Sequence, residues 1–463
     1  MIEKNIKGTD GTMHQKREID MLHGKLAGKL LRFALPLAVT GILQQLFNAA
    51  DVAVVGRFCG NAAMAAVGSN AAIVGLLVNL FVGVALGTNV VIAQYTGQGK
   101  LDKVSRTVHS SLLVALVCGL LLTVLGEVFA PMILQLMSVP EEVLPLSVMY
   151  LRIYMAGMPV ILLYNFLSAI FRSQGDTRTP LICLTIAGVV NVALNLFFVV
   201  VLGRSVDGVA IATVVSNTLS SVMLFVTLLR SDGAVKVEWK KFKPDWRIIG
   251  QVFRIGVPAG VQGMVFSFSN IVVQSAINSL GATVMAASSA AFNVEILAYF
   301  IINAFGQACT TFTGQNYGAG QIDRCRKILG VCTLMSMVCT VIICSLLLGF
   351  ANPILSVFNA DPDVIQVGRI RLFAILLGEP MSVLMENFSG ALRAYGKSTP
   401  PAVLTLIGVV GVRLAWIFFW FPTHRTFGTI IACYPLSWAV TVVAIAAYYF
   451  WFRSKQNQML QTA

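Results

Sequence analysis

The feature that most constrains this chain is a succession of twelve apolar runs, each long enough to cross a lipid bilayer as an α-helix. Such a helix needs about 20 apolar residues to cross about 30 Å of hydrocarbon, and it satisfies its own backbone polar groups there. Only 11% of the 463 residues are charged, against about 25% in soluble domains. The sequence therefore predicts an all-α integral membrane protein with twelve transmembrane helices. The runs occupy residues 33–55, 62–92, 108–130, 147–171, 181–202, 208–229, 252–279, 283–312, 328–351, 365–392, 402–421 and 428–452.

The basic residues are unevenly divided between the two sides that these spans define. If both ends of the chain face the cytoplasm, 26 of the 33 Lys and Arg residues fall in cytoplasmic segments, three in outer loops and four within spans. This is the positive-inside pattern of multi-pass proteins. It predicts a protein of the plasma or inner membrane with both termini in the cytoplasm. The net charge of +13 then reflects topology, and we expect no binding to nucleic acid.

The two halves of the chain repeat at a spacing of 221 residues. The matching pairs are Gln94 with Gln315, Gly97 with Gly318, Gly99 with Gly320, Asp102 with Asp323, Pro159 with Pro380, Ser168 with Ser389, Arg172 with Arg393, Gly175 with Gly396 and Pro180 with Pro401. Each repeat holds six spans, and an even number returns the chain to the same side. The halves are therefore predicted to be parallel repeats about an axis along the membrane normal, an arrangement typical of alternating-access transporters.

The charge pattern and the repeat together predict the domain boundaries. We expect a cytoplasmic basic leader at 1–30, a six-helix bundle at 31–230, a cytoplasmic linker at 231–251, a second six-helix bundle at 252–453 and a cytoplasmic tail at 454–463.

Little in the chain points to enzymatic or cofactor chemistry. The nine Cys have no CxxC spacing and lie mostly in apolar runs, where cysteine acts as a small packing residue. The four His are scattered, and no constellation of His, Asp and Ser falls at a membrane face. We therefore expect a protein that is not an enzyme and that needs no cofactor or structural metal.

Several short segments, in this order and within this repeat, resemble the multidrug and toxic compound extrusion (MATE) transporters, with late segments typical of a bacterial branch. The segments are LQQLFNAAD at 43–51, VGR at 55–57, AAVG at 65–68, AQYTG at 93–97, the stretch 172–180, GQNYGAG at 314–320, GALR at 390–393, GVRLAW at 411–416 and YPLSW at 434–438.

The resemblance implies a transporter that acts as a monomer surrounded by membrane lipid. Members of this family expel organic cations and other amphipathic drugs in exchange for protons or sodium ions. The alternative is a lipid or polyisoprenoid flippase of the same broad superfamily, for which we would expect a more basic central cavity.

Asp51 is the strongest candidate for ion coupling in the first half. An ionisable side chain within a span costs about 2.5–3.5 kcal/mol on insertion scales, so its presence indicates a functional or structural role. Gln44 and Asn48 precede Asp51 by seven and three residues on the same helical face. The alternative is a structural carboxylate that caps a helix or pairs with Arg57.

The resemblance adds Asn191, Asn195 and Thr213 as the polar partners of Asp51 on the fifth and sixth spans. Some relatives carry Asp at the position of Asn195. Without that second carboxylate, a sodium site at Asp51 loses one anionic ligand, which weakens sodium coupling relative to proton coupling.

The second half offers Glu295, Glu386 and Arg413 within its spans. Isolated charges there are costly, so we expect these three residues to pair with one another. Asn165 occupies the repeat position of Glu386, which suggests polar residues facing one cavity from both halves. The sequence leaves two roles open for this pairing, ion coupling and helix packing.

Overall fold

The computed structural model describes residues 19–462 except 138, 240, 241 and 360. The regular secondary structure of this described part is helical throughout. The first half comprises α1 (Leu26–Phe58), α2 (Asn61–Gly97), α3 (Leu101–Leu136), α4 (Leu144–Ala156), α5 (Met158–Ser173), α6 (Arg178–Leu196) with a π-helical continuation Phe197–Val201, and α7 (Val206–Arg230).

The second half follows the same order. It comprises α8 (Trp246–Asn278), α9 (Ala282–Gly318), α10 (Ile322–Gly349), α11 (Ala351–Phe358), α12 (Pro362–Ala394), α13 (Thr399–Thr405), a π-helical stretch Leu406–Gly411, α14 (Val412–Ala415), a second π-helical stretch Trp416–Trp420, and α15 (Phe427–Thr462).

The helices keep the 221-residue register of the sequence. Helix α9 ends 221 residues after α2, and the turn that follows each helix contains a glycine with positive φ, Gly99 at 68° and Gly320 at 75°. A side chain with a Cβ rarely adopts this backbone conformation, so glycine is suited to ending both helices.

Ten helices of the described chain are long and apolar enough to cross a membrane, and the pair α4 and α5, bent by 48°, adds an eleventh span. We count α12 as the twelfth because it is the repeat partner of that bent pair and is 33 residues long. Its lower hydropathy has a simple cause, since it carries six charged residues: Asp363, Arg369, Arg371, Glu379, Glu386 and Arg393.

The chain forms two compact units whose borders differ from the expected ones. The first unit contains Val39–Gly260 and the described residues before Gly24, and the second contains Gly24–Ala38 and the chain from Val261 onward. Helix α1 begins at Leu26 within the expected leader, α8 begins at Trp246 within the expected linker, and α15 continues to Thr462 through the expected tail. Hydropathy marks where a span is apolar, whereas Lys, Arg and Gln have good helix propensity and extend the helix beyond it.

Glycines allow the backbones of α2 and α8 to touch within the first unit. A Cβ on Gly83 would lie 2.1 Å from the backbone nitrogen of Gly260, and one on Gly87 would lie 2.3 Å from the carbonyl oxygen of Val252. Gly256 and Gly260 repeat the spacing of Gly83 and Gly87, so each helix presents two small residues four positions apart. This is the small-residue pattern of close helix crossings in membranes.

Gly83→Ala is expected to destabilise the protein by about 1–3 kcal/mol, because the added methyl group overlaps the backbone of α8 and forces the helices apart. The measurement is the midpoint of thermal unfolding in detergent. Gly75→Ala on the same helix is the matched control, since a Cβ there meets no atom within 4 Å. Equal midpoints for the two variants would contradict the close crossing.

Candidate functional site

Asp51 lies at the centre of a buried polar group that we call the first cluster, made of Asp51, Asn191, Asn195 and Thr213. The Asp51 side chain is on α1 and only 8% of the residue is exposed. The Nδ2 of Asn195 on α6 donates a hydrogen bond to Asp51 Oδ1. The Thr213 hydroxyl on α7 donates to Asp51 Oδ2 at 3.3 Å. Three helices of the first unit thus converge on one carboxyl group.

The two asparagines of the first cluster are one helical turn apart on α6. Asn195 Nδ2 also lies 3.3 Å from Asn191 Oδ1 and donates to it. The other amide atom, Asn195 Oδ1, is buried and has no hydrogen-bond partner within the described residues. A buried acceptor of this kind is rare in proteins. It leaves one oxygen beside Asp51 available to a proton donor, a water molecule or a small cation.

A close contact between α1 and α6 positions the first cluster. A Cβ on Gly188 would lie 1.8 Å from the Phe47 ring, so only glycine allows this ring to approach α6. Phe47 precedes Asp51 by four residues, and Gly188 precedes Asn191 by three, so the contact lies about one turn from the polar groups. The packing of one aromatic ring therefore sets the distance between Asp51 and the asparagines.

The carboxyl group of Asp51 accepts hydrogen bonds from two neutral side chains, Asn195 and Thr213. In the described part of the chain no Lys or Arg side chain forms an ion pair with it, and the alternative pairing with Arg57 is not seen. An ionised carboxylate surrounded by apolar helices and unpaired with a cation is costly. Asp51 is therefore placed where taking up a proton or a cation removes that cost.

Three further residues predicted for the first half do not join the first cluster. Gln44 and Asn48 are exposed and make no hydrogen bond to Asp51. Asn165 is half-buried, and its Nδ2 donates to the carbonyl oxygen of Ile161 in its own helix at 2.9 Å. The spacing of Gln44, Asn48 and Asp51 places them on one face of α1. That spacing did not determine which polar side chains contact Asp51.

In the second half, the expected mutual pairing of Glu295, Glu386 and Arg413 is wrong. Glu295 on α9 pairs instead with Arg371 on α12, through Nη2–Oε1 at 2.5 Å and Nε–Oε2 at 3.0 Å. Arg371 also donates to the Ser288 hydroxyl at 2.7 Å. This is a two-bond ion pair in which Arg371 and Glu295 are 3% and 7% exposed.

Glu386 pairs with a residue of its own helix. Arg393 Nη1 donates to Glu386 Oε1 at 2.9 Å, and its Nη2 donates to Gln262 Oε1 on α8 at 3.1 Å. The two residues are seven positions apart, which places them on one face of α12. The i to i+7 spacing is visible in the sequence, but Arg393 lies one residue beyond the predicted span 365–392, so the search for partners within spans did not include it.

Arg413 is 1% exposed and has no acidic partner within the described chain. Its Nε donates to the Ser437 hydroxyl at 3.1 Å, and its Nη1 donates to Asn270 Oδ1 at 3.0 Å. The guanidinium carbon lies 4.2 Å from the centre of the Tyr434 ring. We call Glu295, Arg371, Arg413 and Tyr434 the second cluster.

A twelve-span helical membrane protein with two repeats and buried polar clusters belongs to the class of polytopic membrane transporters. Residues 36–197 and 258–418, one segment in each half, match the sequence model of the MatE family. These segments cover more than half of the chain, which therefore belongs to the MatE family, a family of transporters and not of enzymes.

Relatives with assigned names align over most of their length. A probable multidrug resistance protein YoeA of Bacillus subtilis is 28% identical over 445 residues, covering 93% of this chain and 95% of the relative. A probable multidrug resistance protein NorM of Thermotoga maritima is 24% identical over 83% of this chain and 84% of the relative. A protein of Shewanella oneidensis named FAD transporter is 24% identical, with coverage of 85% and 88%.

Solved structures share the fold. A crystal structure of a MATE protein in complex with MaL6 has a TM-score of 0.87 at 19% identity, covering 95% of this chain and 98% of the other. The outward-facing conformation of a multidrug resistance MATE family transporter gives a TM-score of 0.85 at 20% identity, with coverage of 95% and 98%. The multi-pass α-helical fold and the resemblance to MATE transporters seen in the sequence are thereby confirmed.

Proposed function

We propose that this protein exports amphipathic or cationic drugs across the cell membrane, by alternating access, in exchange for protons or sodium ions. Two of the relatives above are named multidrug resistance proteins, which favours drug export over the flippase considered from the sequence. We further propose that the protein acts as a monomer in the plasma or inner membrane, with both termini in the cytoplasm.

The coupling proposal rests on the buried Asp51 carboxyl group, which accepts hydrogen bonds from Asn195 and Thr213 and forms no ion pair within the described residues. An antiporter needs a group that binds an ion in one state and gives it up in the other. A permanent ion pair with arginine would prevent this exchange, because the charge of Asp51 would already be neutralised. Neutral donors orient the carboxyl group without neutralising its negative charge. The transported ion can therefore neutralise that charge when it binds.

Thr213 suits a carboxyl group whose protonation changes. Its single hydroxyl proton has two acceptors, Asp51 Oδ2 at 3.3 Å and the Val209 carbonyl oxygen at 3.0 Å. When Asp51 is ionised, the hydroxyl can donate to it. When Asp51 is protonated, the hydroxyl can donate to Val209 and accept from Asp51. The same side chain therefore supports both states without moving.

Sodium ions prefer oxygen ligands, and the first cluster offers the Asp51 carboxylate, the Asn191 and Asn195 amide oxygens and the Thr213 hydroxyl. Only one of these groups is anionic, and Asn195 supplies an oxygen with no partner in the described structure. Proton coupling uses the carboxyl group alone, whereas sodium coupling uses the surrounding oxygens as well.

One exchanged charge is energetically sufficient. A membrane potential of about 150 mV supplies roughly 3.5 kcal/mol per charge, at about 2.3 kcal/mol per 100 mV. At about 1.36 kcal/mol per tenfold ratio, that free energy sustains a concentration ratio of about two and a half decades.

The proposal is tested with the purified protein in liposomes that contain a fluorescent cationic dye. A proton gradient alone and a sodium gradient alone are imposed in separate samples, and dye movement is recorded against protein-free liposomes. We expect one of the two gradients to drive dye uphill. Dye movement that neither gradient drives would overturn the antiport proposal.

The proposed topology predicts which positions a membrane-impermeant thiol reagent reaches from outside intact cells. In a variant that lacks the nine native Cys, Glu142→Cys and Asn359→Cys should react, whereas Asp232→Cys should react only after permeabilisation. Glu142 and Asp232 are exposed and Asn359 is half-buried, all in loops, so access to reagent decides the result. The reverse labelling pattern would invert the topology.

A further inference from the structure

We propose that the segment joining the two halves carries a binding surface for the headgroups of anionic phospholipids. We call this surface the linker patch, and it consists of Arg230, Lys236, Trp239 and Lys243. The inference goes beyond the proposed export function and does not depend on it, because it concerns the membrane around the protein and not the transported molecule.

The linker segment is fixed to the first unit and does not hang free from it. The backbone N–H of Glu238 donates to Nε2 of His109 at 2.9 Å, and the His109 side chain is fully buried on α3. Val235 and Val237 are also buried, whereas Lys236 between them is exposed. The segment therefore has a defined backbone that presents Lys236 on its outer side.

The Trp239 ring is held by two aromatic contacts and is still 69% exposed. It stacks on Phe242 with the ring centres 5.6 Å apart, and the Phe225 ring of α7 lies 6.1 Å from it, with the planes 69° apart. Phe242 in turn packs edge-on against His109, with the ring centres 5.0 Å apart. These contacts fix the indole ring against the first unit and leave most of its surface open.

The neighbours of Phe225 indicate the depth at which Trp239 lies. Phe225 is within the apolar run 208–229, and Val222 and Val226 beside it on α7 are 52% and 37% exposed. Apolar side chains left exposed together on a span mark a surface that contacts lipid. Phe225 is five residues, or about 7.5 Å, from the end of α7. Trp239 thus lies near the boundary between hydrocarbon and headgroups, where tryptophan is enriched in membrane proteins.

The charge of the segment favours an anionic headgroup over a neutral one. Residues 230–247 contain six Lys and Arg against three Asp and Glu, so the net charge of this stretch is +3. Arg230 ends α7, and Lys236 and Lys243 lie three and four residues from Trp239; all three basic side chains are exposed. Basic residues at the membrane surface attract anionic lipid, and each one adds to the attraction. A neutral lipid would contact Trp239 but gain nothing from the excess charge.

The test places the protein in bilayers of equal parts phosphatidylglycerol and phosphatidylcholine and moves a quencher from one lipid to the other. In the first sample the acyl chains of phosphatidylglycerol are dibrominated, and in the second those of phosphatidylcholine are. Bromine quenches tryptophan on contact, and the two samples have the same surface charge. The Trp239 signal is the difference between the wild type and Trp239→Phe. We expect brominated phosphatidylglycerol to quench this signal about twofold or more strongly than brominated phosphatidylcholine.

Lys236→Gln combined with Lys243→Gln should bring the two samples close to equal quenching, because the net charge of residues 230–247 falls from +3 to +1. Quenching itself should persist, since the Trp239 ring still lies at the membrane surface. Lys327→Gln combined with Lys397→Gln is the matched control. It removes two exposed lysines of the second unit and should keep the preference.

Equal quenching by the two brominated lipids in the wild type, or an unchanged preference in the Lys236 and Lys243 double variant, would overturn the proposal. A Trp239 signal that neither lipid quenches would also overturn it, because the ring would then lie away from the bilayer and be open to a soluble partner. No drug and no ion gradient is present, so the result is independent of whether the protein exports drugs.

Discussion

Asp51→Asn should reduce ion-driven dye export to the background of protein-free liposomes while leaving the protein folded. Asparagine keeps the size of the side chain and can still bond to Thr213, but it cannot bind and release a proton or contribute a negative charge to a cation site. Dye binding in detergent should persist, because the first cluster is proposed to carry the ion. The measurement is uphill dye transport at matched protein levels, under whichever gradient drives the wild type.

Glu127→Gln is the matched control for this variant. Glu127 is also an acidic residue of the first unit, but it is about half-exposed and its nearest partner is Arg152 at 3.5 Å. Its loss should leave transport near the wild-type level. An Asp51→Asn protein that still builds a wild-type gradient would show that coupling resides elsewhere, and Glu295 or Glu386 would be examined next.

Arg371→Ala should destabilise the protein by about 3–5 kcal/mol, or force Glu295 to take up a proton, because it leaves a buried carboxylate without its counter-charge. The Glu295→Gln and Arg371→Met double variant removes both charges and should recover much of the lost stability. Thermal unfolding in detergent measures both effects.

Arg152→Ala breaks a comparable pair whose side chains are 45% and 46% exposed. Exposed pairs contribute about 0–1 kcal/mol, so this variant should unfold close to the wild type. If Arg371→Ala unfolds at the same temperature as Arg152→Ala, the buried pair has little importance for stability. Transport by the double variant then separates the two roles, since full activity would mark the pair as structural.

Prediction of the site from the sequence succeeded for an acidic residue within an apolar run. It failed where several arginines could pair with the same glutamate. Asp51 was found because an acid within an apolar run is costly, and the resemblance supplied Asn195 and Thr213, which do contact it. Glu386 was assigned to Arg413 because both lie within spans, but Arg393 is its partner. Several arginines were available on neighbouring helices, and only helix rotation and side-chain reach select among them.

The sequence by itself determined the class of protein, the number and order of the spans and the 221-residue repeat. Those properties depend on hydrophobicity and on local backbone conformation. An example is the pair of positive-φ glycines, Gly99 after α2 in the first half and Gly320 after α9 in the second. Only the tertiary structure decided which polar groups meet. It joined Glu295 to Arg371, brought α2 and α8 into backbone contact through their glycines, and placed Arg413 against the amide oxygen of Asn270. The physical reason is that a side-chain hydrogen bond depends on distances of about 3 Å, which are set by how helices far apart in the chain rotate and pack against one another.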